Sequence, residues 1–164
     1  MSRAFVKEPD GDQVSDDQPE WPISQHTNFV TSTGLKQLQT RRDDLLKQQD
    51  ALTSDKNSMK AKVEFAQIGR ELRYLTSRIS TAKVVRTPQD QSIVKIGASV
   101  KVIDEAGSDY QFMIVGEDEA DIKQGKISWV SPLASALLDG ALGEEVLWKR
   151  PSGDLVVEIN KIHY

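Results

Sequence analysis

The sequence predicts an α+β chain in which an antiparallel α-helical coiled-coil hairpin precedes a small β-rich domain. Three observations carry this prediction. An apolar stripe runs at alternating spacings of four and three between residues 61 and 82, and a weaker stripe of the same repeat lies between residues 35 and 52. After residue 92 the pattern changes to short alternating runs separated by turn formers. A chain of 164 residues holds one or two small domains and no deep substrate cleft of its own. Any catalysis it joins is expected to be shared with a partner, so the chain is read as no enzyme by itself.

Residues 1–24 form the first segment, an acidic tail with a net charge of −4. Between Val6 and Glu20 it holds two prolines and almost no large apolar side chain, so burial cannot offset chain entropy and disorder is expected. Trp21, Pro22 and Ile23 interrupt the polarity, either as an anchor against the folded body or as exposed apolar residues at its edge.

Residues 25–86 form the hairpin. In the second arm Ala61, Phe65, Ile68, Leu72, Leu75, Ile79 and Ala82 line one seam, and in the first arm Leu35, Leu38, Leu45 and Leu52 follow the same repeat. Arg42 and Gln49 fall in two core-type slots of that arm. Thr31 or Ser32 offers the hydroxyl that caps the first helix. Thr53 to Ser58 is a polar cluster of turn formers, and so short a connection makes the arms antiparallel with a tip near residues 50–58. At 1.5 Å per residue the first arm is about 30 Å long, and Gly69 weakens the second by about 1 kcal/mol.

Residues 87–164 form the third segment. Thr87 to Ser92 reads as a linker, and strands are expected at 99–103, 110–115 and 126–130. Ser131 and Pro132 supply a cap and a first-turn proline, which predicts a short helix through Leu138. Residues 145–150 and 155–162 close as a hairpin around Pro151-Ser152-Gly153-Asp154.

Charge is partitioned along the chain. Residues 35–85 hold eleven Lys and Arg against six Asp and Glu, a net of +5, whereas residues 86–164 hold eight against thirteen, a net of −5. Screening over about 8–10 Å makes local charge decisive, so the basic hairpin can approach phosphates although the whole chain carries −4. A solvated coiled-coil face accounts for the same charges. The chain has no cysteine and two histidines, which argues against disulfides and an intrinsic zinc site. No apolar run reaches the ~20 residues of a membrane helix, and a soluble, cytoplasmic protein is expected.

The run Ile127-Ser128-Trp129-Val130-Ser131-Pro132-Leu133-Ala134-Ser135-Ala136-Leu137-Leu138, placed after a helical hairpin, resembles the Gre transcription elongation factors. Phe112 to Gly116, Leu142 to Val146 and Val157 to Ile162 continue the likeness, as do Val30 to Leu35 and Leu72 to Leu75 in the hairpin. The resemblance spans residues 28–164 and leaves the acidic tail outside. It implies an FKBP-like C-terminal domain that docks on RNA polymerase, and a hairpin that enters the polymerase secondary channel. It further implies tip carboxylates that help hold a second magnesium ion during cleavage of a backtracked transcript. The only cofactor implied is thus Mg²⁺ shared with the polymerase, since two-metal phosphoryl transfer needs hard oxygen ligands.

The residues implied are Asp50 and Asp55 at the tip, Lys56, Lys60 and Lys62 near RNA, and Val130, Ser131 and Pro132 on the polymerase-binding face. Two departures from the family stand out: no Gly-Asp-Leu-Ser-Glu-Asn-Ala-like string lies between Leu52 and Phe65, and the arms are shorter by about two turns, ~10 Å. An aspartate beside a turn is more often a helix cap, which fits Asp55, and Asp50 reads first as an exposed helical charge, whereas Ser131-Pro132 fits a helix start equally well. The expected function is binding of RNA polymerase and modulation of elongation by a monomer that meets RNA or DNA only within that complex, with no membrane partner. Other readings are a coiled-coil adaptor, a regulator of nucleoside diphosphate kinase type, or a peptidyl-prolyl isomerase using Tyr110, Phe112, Trp129 and Trp148.

Overall fold

The computed structural model describes residues 18–53 and 58–164. Two long helices form the hairpin, α1 (Ser32–Leu52) and α2 (Met59–Ser80). Thr31 caps α1, its hydroxyl oxygen accepting from the Gly34 amide at 3.0 Å, an arrangement that contributes about 1 kcal/mol. Leu38, Leu45, Ala61, Ile68 and Leu75 are buried along the seam, with Leu35, Leu52, Leu72 and Ile79 half-buried beside them.

Phe65 departs from the expected seam and is 41 % exposed. In the first arm Gln49 takes the core-type slot between Leu45 and Leu52, its Nε2 3.9 Å from the Cβ position of Gly69. The hairpin is therefore best packed toward its base.

The arms are tied at the base by two short parallel strands, β1 (Phe29–Val30) and β2 (Lys83–Val84). Asn28 adds a side-chain bond from Nδ2 to the Arg78 carbonyl at 2.7 Å. Neither strand was expected, since two residues are too few to show a period.

The C-terminal part is a five-stranded sheet of β3 (Ser99–Asp104), β4 (Asp109–Val115), β5 (Lys126–Ser128), β6 (Glu145–Trp148) and β7 (Leu155–His163), in the order β5-β4-β3-β7-β6. Neighbours run antiparallel except β4 and β5, which are parallel. The inner face alternates Val100, Val102, Ile114, Val157 and Ile159 against Leu133, Ala134 and Leu137 of the short helix α3 (Pro132–Leu137). Two expected strands end early. The Ser131 amide turns back to the Ser128 carbonyl at 2.9 Å, which stops β5 before Trp129. In β6, Arg150 closes a turn with Gly153, and pairing ends at Trp148. No helix among the described residues is long and apolar enough to cross a membrane.

Candidate functional site

The strongest polar constellation lies where the hairpin meets the sheet. A 3-10 turn at Glu117–Glu119 follows β4 and points three carboxylates at the hairpin base. Arg78 is buried there with its side chain 2 % exposed, and its Nε donates to Asp118 Oδ2 at 2.6 Å. The Tyr74 hydroxyl donates to the other Asp118 oxygen, while Glu117 stands 3.7 Å from the Arg78 guanidinium. A buried arginine costs several kcal/mol to desolvate, and only paired carboxylates with good geometry offset that cost. Burial, reinforced by the bond to Asp118, pushes the Tyr74 phenol up from 10.0 to about 12.

Glu119 holds the first arm. Its carboxylate accepts from the Thr31 amide at 2.7 Å and from the Thr31 hydroxyl, and its Oε1 also lies 3.3 Å from the Gly116 amide. The packing is close enough that two glycines are required by space. A Cβ on Gly34 would fall 1.9 Å from the Glu119 carboxyl carbon, and one on Gly116 would fall 2.4 Å from the Phe29 carbonyl oxygen. Trp129 adds an apolar contact to the same junction, edge-on to Phe29 with ring centroids 5.2 Å apart. One carboxylate grips each arm, so the hairpin's direction is set by the domain that carries the turn.

The expected tip residues are only partly described. Asp50 is exposed in the last turn of α1, and Lys60 and Lys62 are exposed in the first turn of α2. Asp55 and Lys56 lie outside the described residues. Among those described, no group of three or more His, Asp or Glu side chains is placed to hold a metal ion. Mg²⁺ requires six oxygen ligands, and a lone exposed aspartate supplies one or two. The described tip residues therefore do not build a site by themselves, and an ion there would need most of its ligands from another molecule.

Val130, Ser131 and Pro132 lie together in the turn between β5 and α3. Val130 is half-buried, the Ser131 oxygen accepts from the Ala134 amide at 3.3 Å as the N-cap, and Pro132 is exposed at the first helical position. Capping occupies one of the two acceptor lone pairs of Ser131 and leaves its hydroxyl proton to donate. The turn shares Trp129 with the hairpin junction, so this surface and the clasp are adjacent in the chain. The aromatic residues do not converge on one pocket. Tyr110 and Phe112 pack edge-on against Trp148, whereas Trp129 packs on Phe29.

The sequence reading missed the clasp, having counted Glu117, Asp118 and Glu119 among ordinary acidic residues. The signal was present in two places: three consecutive acids directly after an apolar strand, and Arg78 one residue before seam residue Ile79.

A hairpin of two long helices clamped at its base to a five-stranded sheet defines a two-part factor, with a projecting arm and a separate β surface. The family described as "Transcription elongation factor, GreA/GreB, C-term" matches residues 89–164. The chain is 32 % identical over 151 residues to transcription elongation factor GreA of Vibrio cholerae, covering 82 % of this chain and 96 % of that protein. Against transcription elongation factor GreB of Neisseria meningitidis serogroup B it is 40 % identical over 102 residues, covering 60 % of this chain and 61 % of the relative. Among solved structures, a GreA/GreB elongation factor from Nitrosomonas europaea aligns at 24 % identity and a TM-score of 0.43, over 83 % of this chain and 98 % of that one. The chain belongs to the GreA/GreB family of transcription elongation factors.

Proposed function

We propose that this chain docks on RNA polymerase through the Val130-Ser131-Pro132 turn and carries the hairpin tip, residues 50–58, into the secondary channel to modulate elongation. The clasp between Arg78 and Asp118 is the observation that supports this reading most. A docked domain can direct a remote tip only if the arm is fixed to it, and a buried ion pair with a second carboxylate on the other arm does that. The chain acts there as a ligand and a plug, and chemistry at the transcript belongs to the polymerase. Because no group of three or more described carboxylates gathers to hold a metal ion, occupancy of the channel is favoured over donation of a second magnesium ion.

Co-purification with core RNA polymerase tests the reading. The full chain is expected to be retained and to compete with a cleavage-active factor, and Pro132→Arg is expected to weaken both. Retention on no polymerase would reject it in favour of the adaptor reading.

A further inference from the structure

The segment before the hairpin lies across the second arm. Gln18 accepts from the Arg70 guanidinium at 2.7 Å, and Glu20 accepts from Arg73 Nε at 3.1 Å and from Nη2 at 2.5 Å. Trp21 rests on Tyr74, with ring centroids 5.4 Å apart. These contacts place residues 18–21 against the hairpin, while the rest of the segment expected to be disordered, residues 6–17, lies outside the described residues. The seating is uneven. Arg70 is buried beneath Gln18 at 5 % exposure, but Trp21 remains 47 % exposed, both members of the Glu20–Arg73 pair are more than half exposed, and an open groove runs beside Pro19 and Gln67. Exposed ion pairs add little net stability, so the Glu20–Arg73 end of the strap forms and releases readily.

One further basic residue of α2 lies in line with the face under this strap. Eleven residues of helix turn through about 1,100°, within about 20° of three full turns, so Lys62 lies on the same line as Arg73, about 16 Å nearer the tip. The Arg73 side chain lies back toward the tip, its guanidinium 3.6 Å from the Cβ position of Gly69. The strap thus covers the base end of the line and leaves Lys62 exposed. Its charge is opposite to that line, and the residues before it continue the same sign, with five acids against two bases in 1–17.

We propose that residues 18–23 are a displaceable acidic strap that competes with a nucleic-acid phosphate backbone for the Arg70–Arg73 face of α2. Phosphates and the Glu20 carboxylate use the same guanidinium donors, so each must lower the affinity of the other. The inference deepens the proposed function by adding regulation of the hairpin's basic face, and it rests on that reading for its setting. Its test does not, because the free chain suffices.

Binding of a labelled single-stranded oligouridylate is measured by fluorescence anisotropy across a salt series, for the full chain and for a chain lacking residues 1–23. Removal is expected to tighten binding roughly five- to tenfold at low salt, with the gap closing as salt rises. In the full-length chain, Glu20→Gln with Trp21→Ala should recover part of that gain, about twofold or more. Should truncation lower helicity by circular dichroism, this full-length pair decides. Equal or weaker binding after strap removal, or no binding by any chain, overturns the proposal. Polymerase retention reports separately: retained docking with no strap effect rejects the strap alone, and a strap effect without docking rejects the polymerase reading alone.

Discussion

Arg78 on the second arm and Asp118 in the turn after β4 meet at 2.6 Å with the guanidinium almost wholly buried. This pair joins the two parts of the chain, and its removal should be felt far beyond one hydrogen bond. Asp118→Asn keeps the shape but leaves the buried guanidinium facing a neutral amide. A loss of about 3 kcal/mol is expected in urea unfolding, at the low end for breaking a buried pair because the Glu117 carboxylate still stands 3.7 Å from the guanidinium. Arg78→Met with Asp118→Leu should restore only part of that loss, since both charges go but the Glu117 carboxylate and the Tyr74 hydroxyl are left without their partners. A loss below about 1 kcal/mol in Asp118→Asn would show that the pair is solvated in solution.

Gly34 and Glu119 compete for the same space. Gly34→Ala should evict the carboxylate from Thr31 and cost about 1–2 kcal/mol, although alanine is the better helix former by about 1 kcal/mol. In a Glu119→Ala background the same substitution should become neutral or stabilising. Additive effects in this cycle would place the cost elsewhere than in the eviction.

Tyr74 gives the clasp an alkaline limit. Its phenol titrates near 10 when unfolded and near about 12 when folded, so the native state holds the proton longer. The stabilisation is complete below about pH 10 and declines as the pH rises toward about 12. Unfolding midpoints should fall across that window, and Tyr74→Phe should abolish this part of the decline together with the phenolate absorbance step near about 12. An unchanged absorbance titration would remove Tyr74 from the clasp.

The sequence made some of this legible and hid the rest for physical reasons. The seam from Ala61 to Ile79 was readable because a four-three repeat sustained over several turns keeps its apolar side chains on one face only in a supercoiled helix. Phe65 was misplaced because periodicity in one arm does not show how much apolar surface the other arm offers it. The strands of the sheet were found by alternation, but their ends at Ser128 and Trp148 depend on turns closed by backbone bonds that no pattern displays. Residues 29–30 and 83–84 pair across more than fifty residues with two residues each, below any detectable period. Val130 to Pro132 were identified through a family likeness, and their helix-start role is the part that their chemistry alone predicts. Arg78 was the largest omission, since a charged residue beside a seam is ordinarily solvated and only the fold brings Asp118 to it.

Lys60 and Lys62 give a salt-dependent signature. Replacing both by glutamine should reduce the salt sensitivity of binding to a transcript-containing polymerase complex, by up to about one unit of slope for each phosphate no longer neutralised. Binding to core polymerase alone should change little. Equal slopes for wild type and variant in the transcript complex would assign these lysines to a solvated face.

Docking through the β domain and insertion of the hairpin both stand or fall on where the tip sits, and the chain's lack of cysteine makes that position measurable. A photo-crosslinker attached at Asp50→Cys, at the exposed distal end of α1, is bound to a backtracked polymerase complex and illuminated. Crosslinks are expected to the 3′ segment of the transcript and to polymerase residues lining the secondary channel, and they should be lost when Pro132→Arg is added. Crosslinks confined to the outer surface of the polymerase, unaffected by Pro132→Arg, would contradict insertion.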